Sequence, residues 1–221
     1  MIYEMALFDH NEVSIVVRTR AHRQKPLRGP VYIEGDYNPA RWNRRRYVKS
    51  GSDELSPIST MFVPALLALN KQINAEAINY LYGHEFTFEN CFALTEFLAM
   101  IGLRNQQRLH TVKIVDWGSR SAASKLSNHT ALTMLAGATN LESLVLDCAI
   151  SGRTMSKMAK DLYRDGHHFL AAFGAANGGK DAAVDIIEVN DINFPVYGGQ
   201  ATKEEQIKTF QKHLRAFAKT L

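Results

Sequence analysis

Apolar and polar positions along this chain follow two rhythms, and the switches between them mark out its elements. Residues 1 to 8 read as the end of a helix, and the β-branched run Val13 to Arg18 as a short strand. From Ser59 the positions Phe62, Leu66, Leu67, Ile73, Ala77, Tyr80 and Leu81 recur at helical spacing, with a break at Asn70 that would give two helices. Gly83 suits their C-terminal stop.

Beyond that point strand and helix patterns alternate. Glu85 to Phe88 reads as a strand, and Leu94, Phe97, Leu98 and Ile101 mark a helix at i, i+3, i+4 and i+7. Val112 to Val115 is a second strand, followed by a helix from about Ser124 to Ala138. Leu144 to Leu146 anchors a third, followed by a helix carrying Met155, Met158, Leu162, Tyr163, Phe169 and Leu170. Val184 to Val189 is the fourth, and Ile207, Phe210, Leu214, Phe217 and Leu221 close the chain with an amphipathic helix. Such alternation implies right-handed crossovers and a mainly parallel sheet covered by its helices. The expected class is therefore α/β: a small helical N-terminal part and a sheet built from βα units, in a single domain over 1–221.

Two of the strands share a pattern. Leu109, Val112 and Ile114, and then Leu141, Leu144 and Leu146, both read L-x-x-[LV]-x-[IL] and lie 32 residues apart. That arrangement is similar to leucine-rich repeats, in which each strand lines a recognition surface and each helix backs it. It is an irregular version, because the position where the repeat expects Asn or Cys is Ala149 and the strands are unevenly spaced. An ordinary βαβ sheet produces the same short patterns. On the repeat reading, Lys113, Asp116, Trp117, Asp147 and Glu188 line a partner-binding face at the strands and the loops that follow them.

Charge separates one segment from the rest. The net charge is +4, but ten Lys or Arg residues stand against two acidic residues between Arg18 and Lys49. With Pro26, Gly29, Pro30, Gly35, Pro39 and Ser50-Gly51-Ser52 around them, residues 19–57 read as a basic, flexible insertion. Its sharpest feature is Arg41-Trp42-Asn43-Arg44-Arg45-Arg46-Tyr47, where arginines interleaved with aromatics suit phosphate contacts and base stacking. A solvated loop whose charge keeps the chain soluble explains the same residues.

Candidate chemistry is sparse. Gly174 to Lys180 fits the glycine-rich phosphate loop G-x-x-x-x-G-K, but Asp181 stands where Ser or Thr is required, and the segment follows a helix instead of a strand. A helix C-terminal turn accounts for its glycines. Cys91 with His84, or Cys148 with His110, would be the pairs for a cysteine-dependent enzyme, yet no surrounding motif supplies an oxyanion donor. His167 and His168 are adjacent and so diverge on a helix, and no other histidine has a ligand at metal-site spacing. No catalytic, cofactor or metal site is expected. No apolar run reaches the ~20 residues of a membrane span, and two cysteines without a framework fit a reducing compartment, cytoplasmic or nuclear. Asn128-His129-Thr130 matches a glycosylation acceptor, which an intracellular location would make a chance match.

Two segments resemble a known family. Ile2-Tyr3-Glu4-Met5-Ala6-Leu7, and Ala65 to Ile73 leading to Glu76-Ala77 and Leu81-Tyr82-Gly83 with Phe86 and Phe88, resemble fungal F-box-like proteins of largely unknown function. There, a helix ending in I-Y-x-x-A-L precedes a strand, a variable insertion and a helix with a [N/R]-Q-[IL]-x-x-E-A core closed by L-Y-G-x-x-x-F. The resemblance covers roughly residues 1–116. An L-P-x-E-[LI]-R stretch precedes I-Y-x-x-A-L in the family, and here the sequence starts at Met1, so an N-terminally truncated motif is expected. The resemblance implies an adaptor that holds a Skp-type subunit of a ubiquitin ligase, with Ile2, Tyr3 and Leu7 as contact residues, and holds a target through a downstream repeat region. The expected function is protein–protein interaction. Nucleic-acid binding through Arg41, Trp42, Arg44, Arg45 and Arg46 is the first alternative and a cysteine-dependent enzyme the second.

Overall fold

The computed structural model describes the backbone at residues 15–17 and 122–124, and backbone and side chains at 78–79, 81–117, 125–150, 154–195 and 201–220. Its elements run β1 (Ile15–Val17), β2 (Glu85–Phe88), α1 (Cys91–Gln106), β3 (Thr111–Ile114), α2 (Ala122–Leu135), β4 (Ser143–Leu146), α3 (Met155–Ala176), β5 (Ile187–Val189) and α4 (Lys203–Ala218). The strands form one sheet in the order β1-β2-β3-β4-β5, every neighbouring pair parallel. Consecutive parallel strands that sit side by side, joined by right-handed crossovers, place their connecting helices on the same face of the sheet. The helix layer follows the same order: α1 touches α2, α2 touches α3, and α3 touches α4.

Register explains why the core lies where it does. Phe86, Val112, Leu144 and Ile187 occupy one row across the strands, and Phe88, Ile114, Leu146 and Val189 occupy the next but one. All of these but the half-buried Val189 are buried, whereas the alternate positions Thr111, Lys113, Ser143, Val145 and Glu188 are partly or fully exposed. The two L-x-x-[LV]-x-[IL] segments are thus adjacent and in phase, with Leu109 and Leu141 buried beside them. Their helices supply the other half of the core through Leu94, Leu98, Leu132, Leu135, Leu162, Phe169, Leu170, Phe210 and Leu214. Each such side chain contributes about 1.5–3 kcal/mol on leaving water.

Local sequence fixes the helix ends. Asn90 accepts from the Ala93 N–H at 2.9 Å, and Thr154 from the Lys157 N–H at 3.3 Å, both as N-caps. Thr202 and Glu205 form a reciprocal capping box at the start of α4. Near its end α1 is broken at Gly102, whose φ of +71° with ψ of 166° belongs to glycine alone. The Leu98 carbonyl accepts from the buried Gln106 Nε2 at 3.0 Å, a side-chain bond that ties the segment after the break back to the helix before it.

The segment Gly174 to Lys180 ends α3, as a helix stop requires. Gly178 has φ +80°, and the Gly179 N–H bonds back to the Gly174 carbonyl at 3.1 Å, closing the terminal turn. Two boundaries differ from the sequence reading. Ala182 to Val184 form a short 3-10 turn, and only Ile187–Val189 is strand, because the Val184 N–H is taken by the Asp181 carbonyl and pairing with β4 starts at Ile186. Helix α2 stops at Leu135, after which tight turns carry the chain to Ala138. The predicted helices at 1–8 and over most of 59–81, and the basic insertion at 19–57, lie outside the described residues.

Candidate recognition face

With the described helices all on one side, the alternate strand positions form a polar face. Thr87, Lys113, Val145 and Glu188 share one register row, and Glu85, Thr111 and Ser143 share another. The ladder continues one residue past the strands: Val115, Asp147 and Asn190 donate from their backbone N–H to the Phe88, Ile114 and Leu146 carbonyls. This brings Asp147 and Asn190 onto the same face as Lys113, at the C-terminal edge of the sheet.

Side-chain contacts hold these groups in place. Lys113 Nζ lies 3.2 Å from Asp147 Oδ2, and Asn190 Nδ2 donates to the other oxygen of the same carboxylate. Ser143 Oγ donates to Glu188 Oε1 at 2.9 Å, and the buried Thr87 donates to Glu85 Oε1 at 3.0 Å. His110 Nδ1 stands 3.1 Å from Glu142 Oε1 at the opposite edge. The Lys113 and Asp147 side chains are only 30% and 15% exposed, so their pair is held more firmly than a fully solvated one. The face is therefore a set of oriented donors and acceptors around an apolar spot at Val145.

The five residues expected to line a recognition face fall into three groups. Lys113, Asp147 and Glu188 are on the face opposite the described helices, and Asp116 is exposed just beyond β3. Trp117 is different. At 2% exposure it is a core residue, part of the buried hydrophobic cluster between the sheet and its helices. It is not available to a partner. Glu85, Thr87, Ser143 and Asn190 were not singled out by the sequence, although period-two alternation from Val112 and Leu144 would have placed Thr111, Ser143 and Val145 beside Lys113.

One further asparagine ties the loops beneath this edge together. Asn193 accepts from the Ile150 N–H at 2.7 Å and donates to the Cys148 carbonyl at 2.8 Å and the Asn190 carbonyl at 2.9 Å. It lies four residues after Val189, in a run Val184-x-x-Ile187-x-Val189 that repeats the spacing of the two earlier segments. The position where the repeat expects Asn is Ile192, one residue earlier, so the spacing does not point to Asn193.

The other candidates part from chemistry. Cys91 and Cys148 are 2% and 7% exposed. Burial pushes the Cys148 thiol up to about 12, with the Asp116 and Asp147 charges adding to it, and burial pushes Cys91 further still. Thiols held protonated in this way lack the thiolate a nucleophile needs. Asn128 is 1% exposed, so its glycosylation match is closed to modification in this fold. Among the described residues no group of three or more His, Cys, Asp or Glu side chains is arranged to hold a metal ion, and no helix is long and apolar enough to cross a membrane. Ile2, Tyr3 and Leu7, and Arg41, Trp42, Arg44, Arg45 and Arg46, lie outside the described residues. Compared with models of known families, with curated proteins and with solved structures, the chain matches none.

Proposed function

We propose that this chain is a protein-interaction module that receives its partner on the open face of the sheet. The observation that supports this is the one-sided architecture. Five parallel strands in sequence order put every described helix on one face and Lys113, Ser143, Asp147 and Glu188, set around Val145, on the other. A parallel sheet is ordinarily covered on both faces, so a polar face that no described helix covers is a candidate surface for a partner. Leucine-rich-repeat proteins, which the strand pattern resembles, bind along the equivalent strands. The resemblance of residues 1–116 to F-box-like proteins extends the proposal: the open face holds a target, and Ile2, Tyr3 and Leu7 contact a Skp-type ligase subunit.

Alanine at Lys113, Asp147 and Glu188 tests the reading. Proteins captured by the full chain and quantified by mass spectrometry are expected to include partners lost from the triple variant but retained by a helix-side control, Lys157→Ala. Partners unchanged by all three substitutions would remove the sheet face from the account. Salt-sensitive retention of single-stranded RNA, abolished by glutamine at Arg41, Arg44, Arg45 and Arg46, would replace it with the nucleic-acid reading.

A further inference from the structure

The glycine-rich segment Gly174 to Lys180 has no part in the recognition face, yet it carries a chemistry of its own. Within it lies Asn177-Gly178, the only asparagine in the chain that is followed by glycine. A glycine has no side chain to obstruct its backbone nitrogen from attacking the preceding asparagine's side-chain carbonyl, and its backbone turns freely enough to allow it. Both residues are exposed. Gly178 has φ +80° and nothing within 4 Å of where a Cβ would stand, and among the described residues no hydrogen bond holds its N–H. The attacking nitrogen is therefore unhindered and unbonded.

The carbonyl it would attack is restrained. Asn177 closes α3: its N–H donates to the Phe173 carbonyl at 2.9 Å, and its Nδ2 donates to the same carbonyl at 3.0 Å. Nδ2 also donates to the Thr139 carbonyl, in the turns that follow α2, at 2.9 Å. Both side-chain bonds draw the amide back over the helix end, away from Gly178. Ring closure needs them broken and the Asn177 peptide swung away from its ψ of 18°, which also opens the turn held by the Gly179 N–H on the Gly174 carbonyl.

We propose that Asn177 is a deamidation site that the fold keeps closed, and that its acidic product loosens the join between α2 and α3. The Gly178 nitrogen bonds to Asn177 Cγ, and the side-chain amide leaves as ammonia with the proton that the Gly178 nitrogen gives up. Water then opens the cyclic imide at either carbonyl, leaving aspartate or isoaspartate. Either product reverses the local pattern, because a carboxylate only accepts and here faces the Phe173 and Thr139 carbonyls, which also only accept. It adds negative charge at the C-terminal end of α3, where the helix dipole is already negative. Isoaspartate further inserts a methylene into the backbone of the terminal turn. A chain that opens here and reacts is thus left with a weaker closure.

Incubation of the full chain in mildly alkaline buffer, native or in urea, tests this, with peptide mass spectrometry and chromatographic separation of the aspartyl and isoaspartyl forms. In urea Asn177 is expected to convert ahead of every other asparagine. In the native chain it is expected to convert about tenfold or more slowly, because reaction waits on local opening. Gly174→Ala, whose Cβ would press on the Gly179 carbonyl oxygen at 2.7 Å, is expected to convert faster than wild type under native conditions. Asn177→Asp is expected to unfold at a lower temperature than Asn177→Ala, which loses the same bonds without gaining a charge. Circular dichroism before heating checks that each variant is folded, and wild-type chain melted before and after incubation reads the same effect in protein that folded with Asn177 in place. A native rate equal to the rate in urea overturns the inference, as does an unfolding temperature lowered neither by the Asp substitution nor by incubation.

Discussion

Cys91 and Cys148 are small residues with a large environmental effect. Both are buried, and desolvation is the first cause of the rise in each thiol's pKa. In the unfolded chain the thiols ionise near pH 8.5, whereas in the folded chain they stay protonated up to about 12 for Cys148. The unfolded state therefore loses protons first, so the stability these thiols contribute is intact below about pH 8.5 and is lost as pH rises toward the folded value. Chemical denaturation between pH 8 and 10 is expected to show that decline, and cysteine-free Cys91→Ala/Cys148→Ala protein to show less of it. Gly174 carries a second prediction. A helical Gly→Ala change ordinarily stabilises by about 1 kcal/mol. Here a Cβ would meet the Gly179 carbonyl oxygen at 2.7 Å and Lys180 Cα at 3.0 Å, both backbone atoms that cannot swing aside. Gly174→Ala is expected to destabilise by about 1–3 kcal/mol, a lowering of roughly 2–4 °C in unfolding temperature per kcal/mol. At this scale the sequence was legible for the glycine turn, whose residue types leave few options, and not for Trp117, whose burial lies beyond the end of the period-two strand pattern.

The elements were mostly written in the hydrophobic rhythm. Glu85–Phe88 coincides with β2, and the i, i+3, i+4, i+7 run from Leu94 falls inside α1, because each pattern reports which face meets the core. Val184 misled, since a buried apolar residue in a 3-10 turn looks the same in sequence as one in a strand. What no rhythm reports is which polar side chain satisfies which distant backbone group. Asn193 bridges to residues 43 and 45 positions away, and only the fold makes them neighbours. Its removal leaves the Ile150 N–H and the Cys148 carbonyl without this partner beneath a buried edge. Asn193→Ala is expected to cost about 1–3 kcal/mol in urea denaturation, more than Asn140→Ala, whose bond to the Gln107 carbonyl is exposed.

For the whole molecule, the order of strands carries more than their number. Alternating patterns imply a parallel sheet, but several strand orders satisfy them, and some would bury both faces between helices. The sequential order found here comes from phase: Val112 pairs with Leu144 and Ile114 with Leu146, so each unit stacks on the one before it with its helix on the same side. The repeated L-x-x-[LV]-x-[IL] spacing made that arrangement readable for β3 and β4. The outer strands were less legible, since the intervals between units differ. One-sidedness in turn gives Lys113, Asp147 and Glu188 their common face, and the proposal of a partner rests on that face being where contact occurs. Photo-crosslinking from the full chain measures this most directly, with a benzophenone amino acid placed at Val145 on the sheet face or at Lys157 on the exposed side of α3. Covalent adducts to another protein from position 145 and none from position 157 are the predicted result. Adducts from position 157 alone, or from neither, would contradict it.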